Sequence, residues 1–306
     1  MRLQRKLASG EFVILAEMEP PKGTDVTAML ANATNVKRMV DAFVVPEMNN
    51  AVMKMSSLGG ALLLQSRGLE TVLQCCCRDR NRLALQGDLL AAHALGVSNV
   101  MAVIGEEITH GDHRQARAVN DLDLLELLGT IQTLRTGRDL AGVDLQGAPD
   151  FVVGSTVKIP KLSAISIDGK LPSTDAALLD ELAKLDKKIA AGASFFVTPP
   201  VYELDALAKF TSHLNGRKAT LIPTVLLLKS VGMARYINRH LEPEIPEDFI
   251  TRIQKAPDRV RECVQIASEI IAALKAQGFS GVNISTIGWE DKLPAILTAA
   301  GEEFGV

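Results

Sequence analysis

The chain has 306 residues, 47% of them hydrophobic and 23% charged, a balance that suits a folded protein with a sizeable core and excludes a disordered or fibrous one. A formal charge of -3 with no run of Lys and Arg argues against a nucleic-acid partner, because neutralising phosphates takes clustered cations. No stretch approaches the ~20 apolar residues that span a bilayer, and MRLQRKLASGEF lacks the apolar run of a signal peptide, so no membrane and a cytoplasmic location are expected.

Short apolar runs alternate with longer amphipathic stretches along the chain. Residues 12–18 (FVILAEM) read as a strand, PPKGT as a loop and 25–40 as a helix. The unit returns as 41–47 (DAFVVPE) before a helix over 51–67, and as 71–76 (TVLQCC) before a helix over 80–95. Runs at 100–105, at 151–157 before a helix over 174–191, at 194–198, at 220–226 and at 281–286 complete eight strands. Strands alternating with helices imply βαβ units, and eight of them in this length predict a (β/α)8 TIM barrel occupying 1–306 as one domain. A dinucleotide-binding doubly wound sheet is disfavoured because no GxGxxG follows a predicted strand; the glycines of SLGGAL lie within a helical pattern. Residues 106–120 after strand four and 227–257 after strand seven are long connections, the second with short helices over MARYINRH and EDFITRIQ. Since barrel active sites form at the carboxyl ends of the strands, these connections are candidate pocket walls.

Glu17, at the end of the first strand, is the leading acid/base candidate: a carboxyl sequestered there can hold a proton at neutral pH. The alternative is that it caps the loop or pairs with Lys22. GEEITHGDH gathers Glu106, Glu107, His110, Asp112 and His113 on one loop, but without a diagnostic metal-ligand spacing, and no metal is expected. Cys75, Cys76 and Cys77 are consecutive and so face alternate sides of a strand; with Cys263 on a predicted helix, reduced structural thiols are expected. Lys184 and Lys188 share a helical face and could together meet a phosphate, or form part of a solvated face with Lys187. Trp289 and Glu290 follow the last strand and either close the barrel or simply pack.

EMEPPKGT, CRDRNRLALQGDLLAAHALGVSNV, GDHRQARAVNDLDLLELL, DLAGVDLQGAPDFVVGSTV, KKIAAGASFFVT, LLLKSVGMARYIN and ISTIGWEDKLP, in this order, resemble methylenetetrahydrofolate reductases of the shorter bacterial form over nearly the whole chain. The resemblance implies a (β/α)8 barrel carrying a flavin, FAD or alternatively FMN, that interconverts methylenetetrahydrofolate and methyltetrahydrofolate. Electrons would come from NADH, NADPH or a redox partner protein, in a homo-oligomer or a hetero-complex. It assigns Glu17 to protonating the substrate amine as the methylene bridge opens to an iminium, which reduced flavin attacks with hydride. It places Lys184, Lys187, Lys188, Gln74 and Ser155 among flavin contacts, and Glu106 and Thr198 among substrate contacts. Where the family has Gly-Asp after strand four this chain has Gly105-Glu106, and the usual Thr-Gln of strand six reads Thr198-Pro199, without the side-chain amide. Pro46 stands for a threonine, Gln74-Cys75-Cys76-Cys77 for His-Leu-Thr-Cys, and Asn283 for a histidine. Two further readings follow from these departures: a diverged non-catalytic or electron-transfer subunit of a larger complex, and a reductase for a different pterin carrier.

Overall fold

Each apolar run of the sequence is a strand, and the eight strands pair in chain order into a closed parallel barrel. They are β1 (Val13–Glu17), β2 (Ala42–Val45), β3 (Thr71–Cys76), β4 (Asn99–Val103), β5 (Val152–Thr156), β6 (Phe195–Pro200), β7 (Thr220–Leu226) and β8 (Gly281–Ser285). The structure, a computed structural model, describes residues 2–160, 173–214, 216–240 and 244–303. Closure is made by β8 lying beside β1, with Leu15 opposite Asn283 and Ala16 opposite Ile284.

Alternation along the strands separates two cores. Val13, Leu15, Ala42, Val44, Val72, Met101, Phe195, Val197 and Ile222 fill the lumen. The intervening residues, such as Ala16, Phe43, Leu73, Val100, Phe196 and Ile284, pack outward against the helices. Gly154 on β5 is required by this packing: a Cβ there would lie 2.2 Å from Cζ of the fully buried Phe195.

Several helices begin where short polar side chains satisfy their first N–H groups. Asn81 caps α4 (Arg82–Ala94), Asp123 and Glu126 form a capping box on α5 (Leu124–Arg135), and Asp258 caps α10 (Arg259–Ala276). α2 (Thr27–Val36) falls within its expected helix, α6 (Ser173–Ala190) lies one residue ahead of its expected bounds, and α8 (Val231–His240) and α9 (Glu247–Lys255) lie within the connection after β7. α7 (Leu204–Ser212) and α11 (Leu293–Glu303) complete the outer ring.

Two segments differ from the sequence reading. The helix expected over 51–67 is α3 (Ser57–Gln65): the Ser56 hydroxyl caps its start by accepting from the Gly59 N–H at 3.2 Å, and the Glu47 carboxylate accepts from the Ser57 N–H at 2.8 Å. The chain before it turns through positive φ at Met48, Asn50 and Ala51. The first residues, for which the sequence reading named no element, form α1 (Arg2–Ser9), whose fully buried Leu3 joins the lumen cluster at the amino end of the barrel. Asp41 anchors α1 by taking Arg2 Nε at 2.7 Å and Lys6 Nζ at 2.9 Å, and it also accepts from the Ile14 N–H at 2.8 Å. Among the described residues no helix is long and apolar enough to cross a membrane.

Candidate functional site

Glu17 is the last residue of β1, so the alternation that points Val13 and Leu15 into the lumen aims its carboxyl at the lumen's carboxyl end. Ser285 on β8 donates to Oε2 at 2.5 Å, and Asn283 donates through Nδ2 to Oε1 at 3.1 Å. Burial pushes the Glu17 carboxyl above its ordinary value; the two hydrogen bonds oppose that shift, and the Glu19 and Glu290 charges add to it. The expected alternative partner, Lys22, is engaged elsewhere, with Asp112. A carboxyl shifted in this direction favours its protonated form to higher pH than an exposed one, the direction of tuning a general acid needs.

Below Glu17 the hydrogen bonds continue across the strands. Asn283 Nδ2 also donates to Thr224 Oγ1 at 3.2 Å, and Thr224 Oγ1 donates to the Thr198 carbonyl at 2.6 Å. The Thr198 hydroxyl accepts from the Thr224 N–H at 3.1 Å and donates to the Pro199 carbonyl at 2.6 Å, spanning the irregular register between β6 and β7. Thr198 is therefore buried with its hydroxyl committed to backbone, and the structure does not present it to the mouth as a substrate contact.

Arg78, nearly buried just after β3, organises the loops of the mouth. It reaches the Met48 carbonyl at 3.3 Å and the Glu106 carbonyl at 3.2 Å, and pairs with Asp79 at 2.7 Å. Gly105, at φ 87°, leaves space that a Cβ could not share with Cys76 Sγ, 2.4 Å away. Glu106 is exposed, its carboxylate 3.5 Å from Arg78 Nη1 at the rim of the mouth. Lys229, in the connection after β7, lies 5.4 Å from the centre of the Trp289 ring and donates to the Ile287 carbonyl; Glu290 accepts from the Gly288 N–H at 2.9 Å. Trp289 and Glu290 thus tie down the connection after β8. Lys54 pairs with Glu19 at 2.5 Å.

The other expected site residues fall in different places. Gln74 faces the lumen side of β3, where its Oε1 accepts from the Glu47 N–H at 3.3 Å. Ser155 is fully buried on the outward side of β5, between lumen-facing Gly154 and Thr156, and donates to the Ala102 carbonyl at 3.1 Å; the strand's alternation turns it away from the mouth. Lys188, on α6, reaches inward to the Thr156 carbonyl at 2.7 Å. Lys184 is exposed and pairs with Asp180 at 2.6 Å, with Glu181 at 3.9 Å, while Lys187 lies on the exposed side of α6. Cys75 and Cys77 pack outward and Cys76 donates to the Ile104 carbonyl at 3.2 Å; all three thiols and Cys263 are free and buried, and burial raises their pKa. Among the described residues no group of three or more His, Cys, Asp or Glu is arranged to hold a metal ion.

Sequence reasoning passed over Ser285 and Thr224, and treated Asn283 only as a departure from the family. The available signal was polar residues two apart, Asn283 and Ser285, inside an otherwise apolar strand. It also passed over the buried Glu47, which accepts from the Ser57 hydroxyl and stands 3.1 Å from Arg80 Nη1, with Arg80 in turn 2.8 Å from Asp88.

Among curated relatives, methylenetetrahydrofolate reductase 2 of Schizosaccharomyces pombe is 21% identical over 254 residues, 78% of this chain and 37% of the relative. Methylenetetrahydrofolate reductase (NADH) 1 of Arabidopsis thaliana is 21% identical over 240 residues, 76% of this chain and 38% of the relative. The chain thus spans well under half the length of these relatives. Among solved structures, an uncharacterized protein from Clostridium thermocellum that binds two copies of 5-methyl-5,6,7,8-tetrahydrofolic acid superimposes with a TM-score of 0.64 at 15% identity, each chain covered in full. Oxaloacetate acetylhydrolase in complex with oxalate gives a TM-score of 0.51 at 12% identity, covering 100% of this chain and 87% of the other. These likenesses show the barrel fold. The methylenetetrahydrofolate reductase family model matches residues 2–301, and the chain belongs to that family.

Proposed function

We propose that this protein is a flavin-dependent oxidoreductase that interconverts methylenetetrahydrofolate and methyltetrahydrofolate, with Glu17 as the general acid. The observation that carries the proposal is the Glu17 carboxyl itself: part-buried at the carboxyl end of β1, raised in pKa and hydrogen-bonded by Ser285 and Asn283, in a chain of this family. The names of the curated relatives and the methyltetrahydrofolate bound by the Clostridium thermocellum protein support the substrate class.

The donor set at the end of β5 fits the phosphate-bearing tail of a flavin. Desolvation lowers the pKa of Lys188, and the neighbouring Lys184 and Lys158 add to that effect, with Glu181 opposing them. An anion among these amines would relieve their mutual repulsion, and the Thr156 carbonyl takes one of the three N–H groups of Lys188. Lys188, with Lys184 and Lys158, would hold the tail; the bound flavin would supply the hydride chemistry. Glu17 gives its proton to the substrate amine as the methylene bridge opens, and recovers one in the reverse direction. Ser285 and Asn283 hold the carboxyl towards the mouth, and the lumen's aliphatic side chains exclude water beneath it. NAD(P)H or a redox partner protein supplies the electrons.

The test is an absorption spectrum of the purified chain reconstituted with FAD or FMN, followed by methyltetrahydrofolate oxidation with an artificial electron acceptor. Flavin absorbance with turnover is expected; absence of both overturns the proposal. A second reading, an electron-transfer subunit of a larger complex with weakened folate chemistry, is favoured by Pro199, by the committed hydroxyl of Thr198 and by the engagement of Gln74 with Glu47. It predicts flavin binding without turnover by the isolated chain.

A further inference from the structure

The carboxyl-terminal strand of the barrel contains a costly arrangement that packing does not require. Asn283 is 1% exposed, surrounded by lumen positions that elsewhere hold Val, Leu, Ile and Met, and its Oδ1 has no partner among the described residues. An unpaired buried acceptor destabilises, so an aliphatic side chain would serve the fold better at this position. The donors and acceptors around it account for its presence.

The Thr198 carbonyl can only accept, so the Thr224 hydroxyl that bonds to it at 2.6 Å must point its hydrogen there. Thr224 Oγ1 is then left as an acceptor towards Asn283, which requires that the amide nitrogen, not the amide oxygen, face it at 3.2 Å. The second hydrogen of that nitrogen is directed at Glu17 Oε1, 3.1 Å away. Polarity set by a backbone carbonyl on β6 is thereby carried through β7 and β8 to the carboxyl on β1. Oε1 is held as an acceptor. A proton on Glu17 must therefore sit on Oε2, beside Ser285, whose hydroxyl can turn from donor to acceptor.

We propose that Asn283 is a positioning residue, held by Thr224, that reserves Oε1 of Glu17 as an acceptor and places the acid proton on Oε2 next to Ser285. The catalytic consequence rests on the acid role proposed for Glu17; the placement of the proton does not. The charged groups that act on Glu17 from the surrounding connections are Glu19, paired with Lys54, and Glu290; the charges of both glutamates also act on Lys229. None of them touches Asn283 or Thr224.

The test uses the full chain and infrared difference spectra of the protonated Glu17 carboxyl, identified by its loss in Glu17→Gln, titrated against pH. Removing the donor to Oε1 should move the carbonyl band to higher frequency and the midpoint upward, by on the order of half to one pH unit for one hydrogen bond. Asn283→Leu and Thr224→Val should both show this, although Thr224 does not touch Glu17, and Thr224→Ser, which keeps the hydroxyl, should not. Wild-type band and midpoint in Thr224→Val overturn the proposal, as does a shift in Asn283→Leu alone. If Asn283→Leu fails to fold, Thr224→Val decides between the two outcomes by itself. A shifted band and midpoint with an unchanged pH profile of methyltetrahydrofolate oxidation would leave the positioning intact and remove the acid role instead.

Discussion

Adding one methyl group inside the barrel, by Gly154→Ala, tests the lumen packing on which the site is built. The new Cβ would lie 2.2, 2.4 and 2.6 Å from three ring atoms of Phe195, against about 3.5–4.0 Å for unstrained carbon contacts. Phe195 is fully buried and packed on the lumen side, so the ring has nowhere to swing and β5 or β6 must shift. Overpacking of this kind costs about 1–3 kcal/mol, and an overlap of more than 1 Å with a rigid ring points to about the upper end. The gain from a less flexible unfolded chain, roughly 0.4–1 kcal/mol, offsets part of it, leaving a net loss of about 2 kcal/mol. Phe195→Leu alone loses about 1–2 kcal/mol by leaving a cavity. The double variant should then lie close to Phe195→Leu, a coupling of at least about 1 kcal/mol between the two sites. Urea midpoints at constant m provide the assay. Equal stability of wild type and Gly154→Ala, or simple additivity in the double variant, would refute the lumen contact.

Four further outcomes are expected. Glu17→Gln should slow methyltetrahydrofolate oxidation by about 10²–10⁴-fold, the usual contribution of a general acid. The folded carboxyl titrates above its ordinary 4.5, so the folded chain keeps a proton that the unfolded chain releases; wild-type stability falls as pH rises from that value through the folded pKa. Glu17→Gln removes that loss, and urea midpoints should show the variant gaining on wild type towards neutral pH and above, with no gain in acid below both pKa values. Lys188→Met should weaken flavin binding, read by fluorescence quenching, by about ten- to a hundredfold for one charge-assisted hydrogen bond, whereas the exposed Lys184, already paired with Asp180, should matter far less; equal effects would contradict the inward role of Lys188. Asp41→Asn should cost about 1.5–3 kcal/mol by weakening the ion pair with Arg2 and the charge-assisted hydrogen bond from Lys6 that hold α1, and unchanged stability would show that α1 does not depend on them.

Fold and site were legible to different depths. The strand and helix periods made the barrel readable, and the position of Glu17 at a strand end made it a candidate, because both signals are local. α1 was missed because its amphipathic pattern is mostly charged or polar, with Leu3 as its buried residue. The start of α3 was placed too early although the Ser56 cap is local; the positive φ values at Met48, Asn50 and Ala51 and the Glu47 contact to the Ser57 N–H are what the pattern did not encode. The resemblance set Ser155 among cofactor contacts, yet alternation turns it one side away from the lumen.

The sequence by itself determined the order of strands and helices, since hydrophobic period and chain length leave few ways to bury eight apolar runs. Only the tertiary structure decided what surrounds Glu17. Thr198 and Thr224 are 26 residues apart, Thr224 and Asn283 are 59 apart, and Asn283 and Glu17 are 266 apart. These contacts exist because β8 closes on β1 and parallel pairing brings alternate side chains of β7, β8 and β1 to one lumen. Whether a polar side chain donates, accepts or is left unpaired there depends on neighbours that no local period encodes.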